Sequence, residues 1–284
     1  MKKFAVIGHP IGHTMSPFIH KRLFSLSGIE AEYVALDIPT VYDSESELCK
    51  LDGFNVTIPH KINIIDILDE LDDKAKAFGS VNTVYNENGK LKGFTTDGVG
   101  CLKALRNHGS GFDGKLLILG NGGAARAIAS EAVLTNSGAD ITVCVRTGSE
   151  GKGEELKSHL LRLSPNAKIT VTDYVTETVN NTHYDLLINT TSVGMYPNAG
   201  ISPVPKSVVE RCDAVFDCVY NPGETELLKI AADLGRTVIP GIEMLVFQAV
   251  AAHEYWYNAK FDREDIMKLC TDSASETERL FRKS

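Results

Sequence analysis

Along most of this chain, short apolar runs alternate with stretches whose apolar residues recur every three or four positions. Runs at 4–8, 33–37 and 53–58 read as strands, and 17–26 as a helix. Within 53–58, polar Asn55 and Thr57 alternate with Val56 and Ile58. Pro59 has no N–H for a ladder and ends the run. Ile64, Ile67, Leu68 and Leu71 then repeat at helical spacing, which predicts a helix entered at Lys61. Residues 81–85 and 91–95 flank Asn86-Glu87-Asn88-Gly89-Lys90, and the Asn-Gly pair predicts a hairpin. A helix over 98–107 leads out of this first set. A second set opens with strand 115–119, a glycine turn, helix 124–134 and strand 141–146. Further strands are predicted at 168–172, 186–189, 214–217 and 237–239. A long apolar helix follows at 243–257, and its periodicity does not reveal what it packs on. The alternation specifies an α/β fold with mainly parallel sheets.

The 284 residues allow one very large domain or two ordinary ones. A net charge of −8 argues against general binding to nucleic acid or anionic membranes. Met1 to Gly8 has too short an apolar run for a signal peptide and reads as a first strand ending at glycine. No apolar stretch approaches the roughly 18–20 residues that span a bilayer. Six cysteines, none in a CxxC pair, lie partly within apolar runs, which suits the reduced thiols of a cytoplasmic enzyme. The histidines show no HExxH spacing, and no metal is expected.

Chemistry enters at two places. Asn55, Thr57 and Lys61 deliver an amide, a hydroxyl and an ammonium to the end of one strand, where α/β proteins hold ligands. The plainer alternative is a polar strand edge with a solvated lysine. Gly120-Asn121-Gly122-Gly123-Ala124-Ala125 follows a strand and opens a helix, giving G-x-G-x-x-A in the context of a dinucleotide site. Gly120 permits the tight turn, Gly122 lets backbone approach a pyrophosphate, and Ala125 permits close helix–strand packing. The helix start supplies N–H donors and partial positive charge. The next strand ends Val145-Arg146-Thr147 where an NAD site carries Asp or Glu. A guanidinium and a hydroxyl suit a 2′-phosphate, which favours NADP, although a solvent-exposed arginine is the alternative.

Several blocks together resemble the shikimate dehydrogenase family. They are Gly8-His9-Pro10-Ile11-Gly12-His13-Thr14-Met15-Ser16-Pro17, Asn55 to Lys61, Val81-Asn82-Thr83, Thr96-Asp97-Gly98-Val99-Gly100, Gly120 to Arg126, Asn189 to Gly194, and Gly241 to Gln248. They keep the family's order from residue 8 to 248. The resemblance implies reversible reduction of 3-dehydroshikimate with NADPH, on the route to chorismate and the aromatic amino acids. It implies Lys61 and Asp97 as the catalytic pair, with Asp97 binding a ring hydroxyl and orienting Lys61. Thr14 and Ser16 match hydroxyls that bind the substrate carboxylate, although hydroxyls ahead of a helix also serve as N-caps. Asn55, Thr57, Asn82 and Gln248 match substrate contacts, and Tyr220 fits a position near nicotinamide and substrate. A core glutamine and a packing tyrosine are the competing readings of the last two. Thr190 and Ser192 fall in the cofactor-side loop, and Gly241 belongs to the cofactor set. Asn82 and Asp97 flank the predicted turn, so both fall toward the hairpin's open end. That Lys61 joins them is implied by the resemblance alone.

The chain departs from the family pattern at Thr14, where Ser is usual. It departs again at Val145 and at Glu150, where an amide and a second arginine are common. Lys152 stands near enough to compensate. The implied architecture is a substrate-binding domain (1–101 plus 241–284) and a Rossmann domain (102–240), with a cleft between them. The partner is a small molecule; a homodimer stays open. Two rivals remain: an NAD-dependent quinate/shikimate dehydrogenase, and a shikimate-sensing protein without turnover, against which Lys61 and Asp97 argue.

Overall fold

The apolar run that opens the chain becomes β1 (Lys2–Gly8), with Phe4 to Ile7 almost wholly buried. A computed structural model describes residues 1–12, 14–174 and 177–281. The chain divides into two compact units, Met1–Gly100 with Leu245–Ser273, and Cys101–Met244 with the chain from Ala274 onward. The sequence reading grouped the residues after Ala274 with the first domain. They lie on the 19-residue helix Arg263–Phe281; at 1.5 Å per residue its ends are about 28 Å apart and keep different neighbours.

The first unit holds β1, β2 (Ala31–Asp37), β3 (Gly53–Val56), β4 (Glu70–Leu71), β5 (Thr83–Glu87) and β6 (Lys90–Phe94), in the order β2-β1-β3-β5-β6-β4. Three of the five pairings are parallel; β5 runs antiparallel to both neighbours. Asn88 and Gly89 take φ of 55° and 87°, the left-handed pair that a two-residue hairpin turn demands. Helix Gly241–Tyr257, from Leu245 onward, belongs to this unit: the Trp256 indole donates to the Val84 carbonyl at 3.0 Å. Phe4, Phe24, Ala252 and Trp256 form an apolar cluster there. That answers the packing question which periodicity left open.

One expectation fails. The helix from Lys61 through Leu71 is instead a turn, a 3-10 segment at Asn63–Ile67, an extended Leu68 and then β4. The edge of β6 captures this backbone: the Asp69 amide donates to Leu91 and the Asp72 amide to Gly93. Gly93 has no side chain, and a Cβ there would lie 2.6 Å from Leu68 Cδ1 and 2.9 Å from Leu71 Cδ2. The leucines therefore bury against the sheet without a helix.

The second unit holds β7 (Lys115–Leu119), β8 (Asp140–Val145), β9 (Lys168–Asp173), β10 (Tyr184–Asn189), β11 (Cys212–Asp217) and β12 (Thr237–Pro240). All pairings are parallel, in the order β12-β11-β10-β7-β8-β9. Counted from β7, this is the 3-2-1-4-5-6 Rossmann arrangement read from its other edge. Sequence reading found every strand of this sheet but not helices Glu150–Leu163 and Glu226–Asp233. The fold is α/β, as the alternation of elements predicted.

Candidate active site

Lys61 stands on the turn after β3. Its carbonyl accepts from the Val81 amide (2.8 Å), which ties the turn to the approach of β5. The neighbouring His60 is buried, and its ring bonds the Ile38 carbonyl at 2.6 Å. The Lys61 ammonium donates to Asp97 Oδ2, and this pair is only 14% and 5% exposed. Asp97 opens helix Asp97–Asn107, whose N-terminal partial charge favours a carboxylate. Its other oxygen, Oδ1, accepts from Asn82 Nδ2 at 2.8 Å. Asn82 Nδ2 also lies 2.9 Å from Thr96 Oγ1 and 3.1 Å from Gln248 Oε1, while Asn82 Oδ1 accepts from the Thr96 amide at 2.7 Å. Gln248 Nε2 donates to its own helix at Leu245. Lys61, Asp97, Asn82 and Gln248 thus meet in one polar cluster, with Asn55 just behind it.

Thr14 Oγ1 donates to Ser16 Oγ and accepts from the Ser16 amide, both at 3.2 Å. Helix Ser16–Leu26 starts after Met15, whose side chain makes no cap, and the Thr14 hydroxyl takes the first amide of the helix, so a capping role stands for Thr14 beside the substrate reading. Thr57 is half-buried, and its amide donates to Ile7. Tyr220 is half-buried on the loop after β11.

In the second unit the glycine turn joins β7 to helix Gly123–Thr135. Gly120 has φ of 106°, and a Cβ there would meet Thr190 Oγ1 at 2.8 Å. Thr190 in turn donates its amide and its hydroxyl to the Leu119 carbonyl, at 3.0 and 2.6 Å. A Cβ on Gly122 would meet nothing within 4 Å, and no side chain caps the helix that begins there. An open approach and uncapped N–H groups, at the switch point between β7 and β10, fit a dinucleotide pyrophosphate. Asn121 Nδ2 donates to the Ser149 carbonyl at 3.3 Å, and Ala125 is buried, as close packing requires. Ser192 follows Thr190 on the loop after β10, exposed to solvent. Gly241 has a packing reason of its own: a Cβ would lie 2.4 Å from the Asp217 carbonyl oxygen.

At the end of β8, Arg146 is exposed, as a group meant for a 2′-phosphate would be. The Thr147 hydroxyl donates to Asp173 Oδ2 at 2.5 Å, and the Gly148 amide to Glu150 Oε1 at 2.9 Å. Two carboxylates therefore already occupy donors on this turn.

Sequence reading missed Asp217, at the end of β11. It is fully buried and accepts from Asn189 Nδ2 (2.8 Å), the Val219 amide (2.9 Å) and the Thr225 hydroxyl (2.7 Å). An acid closing a strand gives no sign in sequence of such a role. Burial pushes its carboxyl from 3.8 up to about 6, against the pull of the three donors. Between those values the folded chain keeps a proton that the unfolded chain has lost, so stability falls as pH rises through this window. The loss is on the order of 3 kcal/mol. Asp217→Asn removes the ionisation. Its melting temperature should gain on the wild type between pH 4.5 and 7.5; parallel curves would refute the assignment.

A family model described as the shikimate dehydrogenase substrate binding domain matches residues 6–84. A shikimate dehydrogenase (NADP+) from Methanococcus maripaludis is 38% identical over 269 residues, 92% of this chain and 93% of the relative. One from Shouchella clausii is 39% identical over 93% of this chain and 95% of its own length. The crystal structure of shikimate 5-dehydrogenase from Thermus thermophilus, in complex with NADP(H) and shikimate, superposes with a TM-score of 0.83 at 31% identity. It covers 96% of this chain and all of the other. Kinship that runs through both units at this level places the chain in the shikimate dehydrogenase family.

Proposed function

We propose that this chain catalyses the reversible NADPH-dependent reduction of 3-dehydroshikimate to shikimate, in the biosynthesis of chorismate and the aromatic amino acids. The observation that carries the reading is the secluded Lys61–Asp97 pair, with the second carboxylate oxygen held by Asn82. The relatives' NADP-dependent shikimate chemistry supports both substrate and cofactor.

Reduction of a ketone puts hydride on carbon and a proton on oxygen. Gly120, Gly122, Gly123, Arg146, Thr147, Thr190 and Ser192 would hold NADPH, which would supply the hydride when bound. The ammonium of Lys61 has three N–H bonds, so it can keep Asp97 and still donate to a substrate oxygen. It stabilises the developing alkoxide and hands over the proton. In the oxidative direction the same pair takes the hydroxyl proton. Thr14 and Ser16, with two hydroxyls side by side, suit the substrate carboxylate; Thr57, Gln248 and Tyr220 supply further polar contacts. Six free cysteines accord with a reducing, cytoplasmic setting. No helix among the described residues is long and apolar enough to cross a membrane.

The test is absorbance of the reduced nicotinamide with shikimate or quinate, each paired with NADP or NAD. Shikimate with NADP should turn over fastest, and NAD should lower kcat/KM by at least about tenfold through loss of the Arg146–phosphate pair. Faster turnover of quinate with NAD would place the chain on the catabolic branch. Tight shikimate binding without turnover would make it a sensor.

A further inference from the structure

Asn55 sits among the residues that the family pattern assigns to substrate, yet its amide is already committed. Nδ2 donates to the Asn82 carbonyl and to Thr83 Oγ1, both at 3.2 Å, and Oδ1 accepts from the Tyr33 hydroxyl at 2.7 Å. The orientation is unambiguous, because the Asn82 carbonyl can only accept and so must face the amide nitrogen. Both amide hydrogens are used, and the residue is 5% exposed. A substrate hydroxyl would have to displace a bond to reach them.

Tyr33 reaches Asn55 from two strands away. In the parallel register, Phe4 pairs with Tyr33 and Val6 pairs with Asn55. Phe4 and Val6 share a face of β1, so Tyr33 and Asn55 share that face too. The tyrosine ring stacks on His20, with centroids 4.2 Å apart and planes within 5°. His20 in turn lies 3.1 Å from His253 through facing ring nitrogens. Burial holds His20 well below its ordinary range and His253 at about 3, so both rings are neutral near pH 7. Burial likewise raises the Tyr33 hydroxyl, which stays a donor. The Tyr33 ring is therefore clamped from behind, and its hydroxyl has a single direction.

We propose that Tyr33 is a positioning residue for the Lys61–Asp97 pair, acting through Asn55 and Asn82, and that Asn55 serves this pair rather than the substrate. The path is continuous. Tyr33 fixes Asn55; Asn55 holds the Asn82 carbonyl, and Thr83 bonds Asn82 Oδ1 at 3.4 Å. Asn82 then holds Asp97 Oδ1, which leaves Oδ2 facing Lys61. The Asn82 amide nitrogen donates to Asp97, with Thr96 and Gln248 sharing its second hydrogen, so a tilt of its backbone carries straight to the carboxylate.

Tyr33→Phe keeps the ring on His20 and removes only the hydroxyl, which leaves Asn55 Oδ1 short of a donor. Resting on the proposed reaction, kcat for shikimate oxidation should fall about tenfold with KM for shikimate within about twofold. Asn55→Ala should behave alike, and the double variant should be no worse than the poorer single. A raised KM at constant kcat in Asn55→Ala would return that residue to the substrate. Additive losses would break the path. A second readout needs no turnover: acylation of Lys61 by acetic anhydride, scored by peptide mass spectrometry against exposed Lys168. Tyr33→Phe should speed labelling of Lys61 several-fold by loosening the pair. Unchanged labelling would overturn the proposal whatever the enzyme's substrate proves to be.

Discussion

Lys61→Ala is expected to lower kcat for shikimate oxidation by about 10³-fold while leaving NADP affinity within about twofold. Two effects combine. In the proposed reaction the proton acceptor is lost, and Asp97, only 5% exposed, is left with Asn82 and no cation. Breaking a buried pair by removing one partner costs about 3–5 kcal/mol, so the alanine variant should also melt earlier. Lys61→Arg separates the two. Arginine keeps a charge that can pair with Asp97, but it does not give up its proton in a protein. It should recover most of the melting temperature and little of the activity. If Lys61→Arg instead turns over within about tenfold of wild type, the lysine acts as a fixed charge and the proton moves elsewhere.

Gly241→Ala is expected to be the most damaging single-methyl change in the second unit. The new Cβ would lie 2.4 Å from the Asp217 carbonyl oxygen, 2.7 Å from that of Cys218 and 2.8 Å from the Cys218 carbonyl carbon. All three are backbone atoms at the end of β11, and none can swing aside. Forcing a methyl into such a space costs roughly 1–3 kcal/mol or more, with a fall of several degrees in melting temperature. Gly122→Ala is the contrast, since its Cβ would point into open space. That variant should melt as wild type does and raise KM for NADP. Equal melting temperatures for the two variants would remove the packing reason assigned to Gly241.

Sequence periodicity located every strand but β4 because these carry short apolar runs, and it located the hairpin because Asn88 and Gly89 carry their own turn geometry. It misjudged 61–71 because the apolar spacing of a helix can also be met by leucines laid against a glycine in a sheet. The place of Gly93, on a neighbouring strand that comes later in the chain, is not local information. The same limit governs the site. Lys61, Asp97 and Asn82 were legible through motif resemblance, and the hairpin drew the last two together. Tyr33 and Asp217 were not, since one acts across β1 and the other through loops brought together only by the fold.

The discontinuous make-up of the first unit also orders events during synthesis. Phe4 and Phe24 complete their cluster with Ala252 and Trp256, and the Val84 carbonyl waits for the Trp256 indole. Those partners leave the ribosome roughly 150–250 residues after the groups they cover, a delay of about 10–50 s at ordinary elongation rates. The Rossmann sheet, from β7 to β12, is by then entirely outside the tunnel or nearly so. The half of the molecule made first is therefore the half finished last, and until then Phe4 on β1 and Phe24 on the helix beside it are open to chaperones and proteases.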